Sequence, residues 1–111
     1  MSAREVAIAN TESFFRHVNE RIEEGAERLD THDAEFICEC ADPKCTARVH
    51  ATIDEYEQVR ATPTRFLLAP GHEDTSVERV VRESPRHAVV EKFNERVAAA
   101  VRRFDPRTQT A

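Results

Sequence analysis

The sequence has no tryptophan, only two glycines and one methionine, and it lacks any long apolar segment. A membrane-spanning helix needs about 20 consecutive apolar residues, so that class of protein is excluded. The opening "MSAREVAIANTESFF" has acidic residues where a signal peptide has its apolar core, and we therefore expect a cytoplasmic protein. Scarce glycine together with a hydrophobic share of 40% predicts a folded, helix-rich chain rather than a disordered one.

A broad basic region is also missing. Residues 1–55 carry 6 basic and 13 acidic side chains, whereas residues 56–111 carry 10 and 8, so the charges of −7 and +2 sum to −5. A phosphate-binding face requires clustered Lys and Arg. The basic group near the C-terminus is also what the last turn of a helix favours, and we expect no nucleic-acid partner. That group consists of Arg96, Arg102, Arg103 and Arg107.

The N-terminal segment has the pattern of a long helix. Ser2 and Glu5 have the spacing of a capping box, and apolar or small residues recur at intervals of three and four. These positions are Ile8, Thr11, Phe15, Val18, Ile22, Gly25 and Leu29. A stripe this narrow is typical of a helix on its own domain, yet it also resembles a coiled-coil seam. We therefore expect either packing on the core, or a protein partner or self-association through this helix.

The apolar period changes after the helix. Residues 35–40 and 47–53 predict the two strands of a hairpin, and Thr52 with Glu55 repeats the capping-box spacing of a short helix. "RFLLA", "SVERVVRE" and "RHAVVEK" predict three further strands, and "NERVAAAVRRF" predicts a closing helix.

This order of elements predicts an α+β fold: a mainly antiparallel sheet of about four to five strands with a long N-terminal, a short middle and a C-terminal helix. Neither an internal repeat nor a linker divides the chain. We expect one domain over residues 1–111, with the N-terminal helix in 1–33, the core in 34–106 and a frayed tail in 107–111.

All three cysteines lie in the stretch "FICECADPKC". In a reducing compartment, clustered thiols indicate metal ligands or reactive groups rather than disulfides. Cys38 and Cys40 would close a very small disulfide ring, whereas the "DP" pair favours a turn that returns Cys45 towards them. Three thiolates and one further donor suit tetrahedral zinc, although C-x-C is shorter than the usual C-x2-4-C spacing. Three thiols without a metal are the alternative.

The fourth donor is to be found among the histidines. We expect His72, because the Pro-Gly pair of "APGHED" turns the chain directly after an apolar strand, and such loops carry ligands. His32 precedes the cysteines on a connection, and His50 faces the polar side of its strand. Both remain alternatives, as does a water molecule in an open site.

Three functions are compatible with a site of this kind. The first is a regulatory or protein-interaction module with a structural Cys3His zinc site. The second is a metal-dependent hydrolase-like enzyme with an open zinc position and Glu73 as general base. The third is a thiol redox sensor. The sequence has neither HExxH nor the H-x-E with P-C-x-x-C pattern of zinc deaminases, and this favours the non-catalytic module.

Several sequence blocks resemble those of a group of proteins. "FICECADPKC", "EYEQVR", "PTRFLLAPGHE" and "VVEKF", with "FFRHVNERIE" upstream, together resemble a group of small, uncharacterised bacterial proteins most often met in high-GC soil bacteria. The resemblance covers roughly residues 13–106. It implies that the three cysteines and His72 belong to one unit, and it implies no particular activity.

Overall fold

The computed structural model describes residues 1–108 and confirms the predicted order of elements and the α+β class. The elements are α1 (Ala3–Arg28), β1 (Asp33–Ile37), β2 (Arg48–Thr52), α2 (Ile53–Arg60), β3 (Arg65–Leu68), β4 (Glu78–Glu83), β5 (Ala88–Lys92) and α3 (Glu95–Arg103). Among the helices of residues 1–108, none combines the length and apolarity that crossing a bilayer demands.

The strands form two antiparallel sheets rather than the single sheet that the sequence predicts. β1 pairs with β2, and the second sheet has the order β3-β5-β4. The capping box of Thr52 and Glu55 begins α2 directly after β2, so the chain leaves the hairpin before β3 begins. A backbone hydrogen bond of 2.8 Å from Glu39 N to Leu67 O joins the two sheets just beyond β1.

Helix α1 begins as predicted and ends earlier. The Ser2–Glu5 capping box is formed, and Leu29 is the C-cap, so residues 29–32 are a turn rather than the end of a helix. Of the predicted apolar stripe, Ile8 and Phe15 are buried, whereas Leu29 is 77% exposed. The stripe therefore describes the buried face only in part.

The buried face of α1 is largely polar. Its buried residues are Glu5, Ile8, Ala9, Glu12, Ser13, Phe15, Arg16, Asn19, Glu23 and Ala26. Arg16 is 1% exposed, donates to Pro63 O at 2.7 Å and lies 3.6 Å above the Phe66 ring. Glu12 pairs with the buried ammonium group of Lys92. Apolar periodicity misses this face because its charged residues find partners inside the fold.

The C-terminal segment packs against the helices. Asp105 is 2% exposed and pairs with Arg60, which is 3% exposed. Arg107, expected in a frayed tail, donates to Glu20 at 2.8 Å and to Glu23 at 3.1 Å. The remaining residues of that predicted tail, 109–111, lie outside the described part of the chain.

Candidate metal centre

Three separate segments bring four donor side chains together. Cys38 and Cys40 follow β1, Cys45 precedes β2, and His72 follows β3. Their donor atoms, three Sγ atoms and one imidazole nitrogen, all lie within 4.8 Å of one another. We call these residues the donor set. A set this compact can hold one metal ion.

The C-x-C spacing follows from the extended backbone beyond β1. Cys38 N donates to Ala47 O at 3.1 Å, and Glu39 N donates to Leu67 O at 2.8 Å, so the segment continues the strand. Successive side chains of a strand point to opposite sides. Cys38 and Cys40 therefore share one side, and Glu39 faces the other. The short spacing, which the sequence presents as unfavourable, is the one that an extended segment requires.

Two similar turns present the other two donors. Cys45 N donates to Asp42 O at 3.0 Å, and the Asp42 carboxylate accepts from Lys44 N at 2.9 Å. His72 N donates to Ala69 O at 3.2 Å. In each turn proline occupies the second position, where its fixed φ is favourable, and the donor occupies the fourth. "DPKC" and "APGH" thus place proline, hydrogen bond and donor alike, but only the second turn has a positive φ at its third residue.

Gly71 has a special role in the second turn. Its φ of 83° lies in the left-handed region, as the third position of a type II turn requires. A side chain at this position strains the backbone, whereas glycine does not. Gly71 therefore determines where the His72 ring lies.

The distances within the donor set fit a tetrahedral ion. Zinc–sulfur bonds of about 2.3 Å and zinc–nitrogen bonds of about 2.0 Å at the tetrahedral angle place sulfur and nitrogen about 3.5 Å apart. His72 Nδ1 lies 3.6 Å from Cys38 Sγ and 3.6 Å from Cys45 Sγ. A bound ion of this size requires little rearrangement of these three residues.

Neighbouring groups act on the three sulfur atoms in different directions. Ala69 N donates to Cys38 Sγ at 3.2 Å, an interaction that favours a thiolate. Hydrogen bonding between the two thiols raises the pKa of Cys38 and lowers the pKa of Cys40. Burial raises the pKa of Cys45. Because the thiolate is the metal-binding form, binding of an ion to all three sulfur atoms would release protons.

Glu39 stabilises the segment that carries Cys38 and Cys40, from the side opposite to the sulfur atoms. Its role was not predicted from the sequence. Its side chain is fully buried, and its carboxylate accepts from Leu67 N at 2.9 Å, Asn19 Nδ2 at 2.8 Å and Tyr56 OH at 2.7 Å. Asn19 also exchanges two hydrogen bonds of 2.9 Å with the backbone of Ile37. Strand alternation predicts that Glu39 points away from the two cysteines, but no local signal predicts that this second side of the segment is buried as well.

Other histidines lie outside the donor set. His50 Nε2 lies 3.0 Å from Asp33 Oδ2 on the outer side of the β1-β2 hairpin. His32 is exposed in the turn after α1, and its carbonyl oxygen accepts from Ile53 N at 2.8 Å. Of the three candidates predicted for the fourth position, His72 is therefore the one that the fold places beside the cysteines.

An open groove adjoins the donor set. It has a volume of about 490 Å³, and Cys40 and His72 form part of its wall. The other lining residues are Arg4, Ala41, Asp42, Gly71, Glu73, Asp74 and Thr75. Cys38 and Cys40 are 1% and 2% exposed, Cys45 is partly exposed and His72 is exposed. One end of the donor set is thus enclosed by the core while the other reaches the surface.

Comparison with known proteins assigns this chain to no family. No protein-family model, curated protein or solved structure matches this chain.

Proposed function

We propose that this chain is a small zinc-binding module in which Cys38, Cys40, Cys45 and His72 hold one structural zinc ion, and that it acts through a partner rather than by catalysis. The observation that carries the proposal is the convergence of four donors within 4.8 Å of one another. Three thiolates and one imidazole are a preferred set for structural zinc. The resemblance to small bacterial proteins supports the proposal, because it implies that the three cysteines and His72 belong to one unit.

The position of the donors supports a structural role. Cys38, Cys40 and Cys45 belong to the β1-β2 hairpin, whereas His72 follows β3 of the other sheet. One ion bound by all four would therefore hold the two sheets together. In a domain of 111 residues such a bond adds substantially to a modest core.

A complete donor set also favours this role over hydrolysis. Catalytic zinc sites have three protein ligands and leave the fourth position to water, whereas structural sites have four. Glu73, the general base that the hydrolase alternative would use, lines the groove next to His72. For that alternative His72 would have to leave the ion, since its Nδ1 faces two of the sulfur atoms.

An exposed aromatic residue supports a partner-binding role for α1. Phe14 is 64% exposed on this helix, and large apolar side chains at a surface are typical of interaction sites. An apolar groove beside it is lined by Asn10, Thr11, Phe14, Phe15 and Pro43. Pro43 belongs to the turn that presents Cys45, so this surface depends on the arrangement of the donor set.

The test is the metal content of protein purified without chelator. We expect about one zinc per chain, and three thiols that react freely only after zinc is removed. His72→Ala keeps three thiolates and should bind zinc more weakly, so that a competing chelator removes the ion at a lower concentration than from the wild type. His50→Ala is a matched control and should behave as the wild type. Less than half an equivalent of metal in the wild type, with all three thiols freely reactive, contradicts the proposal.

A further inference from the structure

The donor set contains every cysteine of the chain, so any intramolecular disulfide must be drawn from it. All three cysteines are free in the structure. Their sulfur atoms lie within 4.8 Å of one another, so each pair can approach bonding distance through a small movement. Backbone separation therefore decides which pair can form a disulfide of ordinary geometry.

The β1-β2 register points towards Cys40 and Cys45 as facing residues. The paired strands end at Ile37 and Arg48, and the bond from Cys38 N to Ala47 O continues the same register by one residue. The register extended by two more residues would bring Cys40 opposite Cys45, next to the turn closed by the hydrogen bond from Cys45 N to Asp42 O. Opposite residues of an antiparallel pair have Cα atoms about 4.5–5.5 Å apart, inside the range of about 4.4–6.8 Å that a disulfide accepts.

The other two pairs are less suitable. Cys38 and Cys40 are two residues apart on an extended segment, which separates their Cα atoms by about 6.6 Å, at the upper limit for a disulfide. Cys38 and Cys45 are diagonal neighbours, for which the separation is about 7–8 Å. Cys38 is also held by the hydrogen bond from Ala69 N to its sulfur atom.

We propose that Cys40 and Cys45 form an oxidisable pair that releases the bound ion when a peroxide converts the two thiolates into a disulfide. This inference rests on the proposed function, because the released ion is the structural one. Only Cys38 and His72 remain as donors after oxidation, and two donors do not retain a tetrahedral ion. The imidazole of His72 then loses its link through the ion to the cysteines of the hairpin.

The chemistry is a two-electron oxidation. Cys45, the most exposed of the three thiolates, attacks hydrogen peroxide, so that an S–O bond forms, the O–O bond breaks and hydroxide leaves. The Cys40 thiolate then attacks the Cys45 sulfur, and the S–S bond displaces the oxygen as water. Three protons are consumed in all: two complete two water molecules with the peroxide oxygens, and one protonates Cys38 as the ion departs.

The experiment follows zinc release from the loaded, full-length protein. Hydrogen peroxide is added in stoichiometric amount, free zinc is measured with a chromophoric chelator, and the disulfide is mapped by mass spectrometry. We expect one zinc released per Cys40–Cys45 disulfide, and recovery of the zinc-bound form after a thiol reductant and zinc are added. A disulfide that includes Cys38, or zinc retained while peroxide is present, overturns the inference.

Two variants sharpen this test. Cys45→Ser retains three donors and lacks the pair, so peroxide should release its zinc at least about 10-fold more slowly. Release at the wild-type rate from this variant contradicts the inference. His50→Ala should behave as the wild type. Failure of the two proposals is distinguishable, since a protein without zinc before oxidation contradicts the zinc site itself, whereas zinc that peroxide does not release contradicts only the switch.

Discussion

Glu39 separates two donor cysteines along the chain and points away from both. Its carboxylate accepts three hydrogen bonds, from α1, α2 and β3, and it has no contact with solvent. A buried acceptor with three donors resists replacement, because an amide supplies one acceptor and two donors in the same space. The residue therefore fixes the backbone from which Cys38 and Cys40 project.

Replacement of Glu39 by glutamine tests this role. In Glu39→Gln the new NH2 group faces either the Leu67 N–H or both the Asn19 amide and the Tyr56 hydroxyl, so at least one donor is left opposite another donor. We expect the free energy of unfolding to fall by about 1–3 kcal/mol, measured by urea denaturation of the zinc-loaded protein. Glu35→Gln, on the exposed side of β1, is the control and should change little. Equal stability of the two variants contradicts the role.

Glu12 is the second residue whose burial has a measurable consequence. It lies on α1, and its carboxylate contacts the ammonium group of Lys92. The same ammonium group also contacts the carboxylate of Glu78. Burial raises the pKa of Glu12 from 4.5 to about 8, with Lys92 opposing the shift and Glu78 adding to it. The folded state therefore binds the proton more tightly than the unfolded state.

The sign of the pH dependence follows from this difference. The stability that Glu12 contributes is fully present below about pH 4.5 and is lost as the pH rises through about 8, at up to about 1.4 kcal/mol per pH unit. The glutamine side chain in Glu12→Gln is neutral at every pH, so the part of the pH dependence of the unfolding free energy that Glu12 causes should be absent. Urea denaturation at pH 5.5, 6.5 and 7.5 measures the free energy of unfolding of the variant and of the wild type. Any effect of bound metal on stability is common to both proteins and cancels in the difference. The exposed Glu24→Gln is the control, and a difference that stays constant with pH refutes the assignment.

At the scale of elements, the two glycines of the chain have opposite roles. Gly25 lies inside α1, whereas Gly71 has a positive φ in the turn that presents His72. A methyl group at either position meets no atom within 4 Å, so only the backbone distinguishes the two substitutions.

Alanine substitution at each glycine gives a matched pair. Gly25→Ala should stabilise the protein by about 0.5–1 kcal/mol, because alanine loses less conformational freedom in a helix. Gly71→Ala should destabilise the zinc-bound form by about 1–2 kcal/mol, since alanine is strained at a positive φ. Urea denaturation of the zinc-loaded proteins measures both changes, and a Gly71→Ala protein as stable as the wild type would argue against strain at residue 71.

The elements were predictable where local signals determine them. The capping boxes at Ser2 and Thr52 mark two helix starts, and the alternation of buried Val49 and Ala51 marks β2. The "DPKC" and "APGH" turns were recognisable from proline and glycine. Such signals depend on neighbours in the chain and need no knowledge of the tertiary structure.

Features that depend on distant partners were not predictable in the same way. The division into two sheets depends on β3 pairing with β5 rather than with the hairpin. The buried face of α1 depends on Lys92 and Asp105, which lie far along the chain and compensate its charges. Local periodicity contains no information about such pairs, and a buried charge is misread as a surface residue.

At the scale of the whole molecule, zinc should contribute to stability by joining the sheets. An ion that binds only the folded state stabilises it by about 4 kcal/mol when its free concentration is about 1,000 times its dissociation constant. For a domain of this size we expect the melting temperature to rise by more than about 10 °C on zinc addition to metal-free protein. Scanning calorimetry measures the shift. His72→Ala should show a smaller one, and identical melting with and without zinc contradicts a structural role.

X-ray absorption at the zinc edge is the most informative measurement on this protein, because it reports the atoms bound to the ion. We predict three sulfur neighbours at about 2.3 Å and one nitrogen neighbour at about 2.0 Å, with the nitrogen contribution replaced or lost in His72→Ala. Fewer than three sulfur neighbours, or a nitrogen contribution unchanged in His72→Ala, would contradict a Cys3His centre formed by Cys38, Cys40, Cys45 and His72.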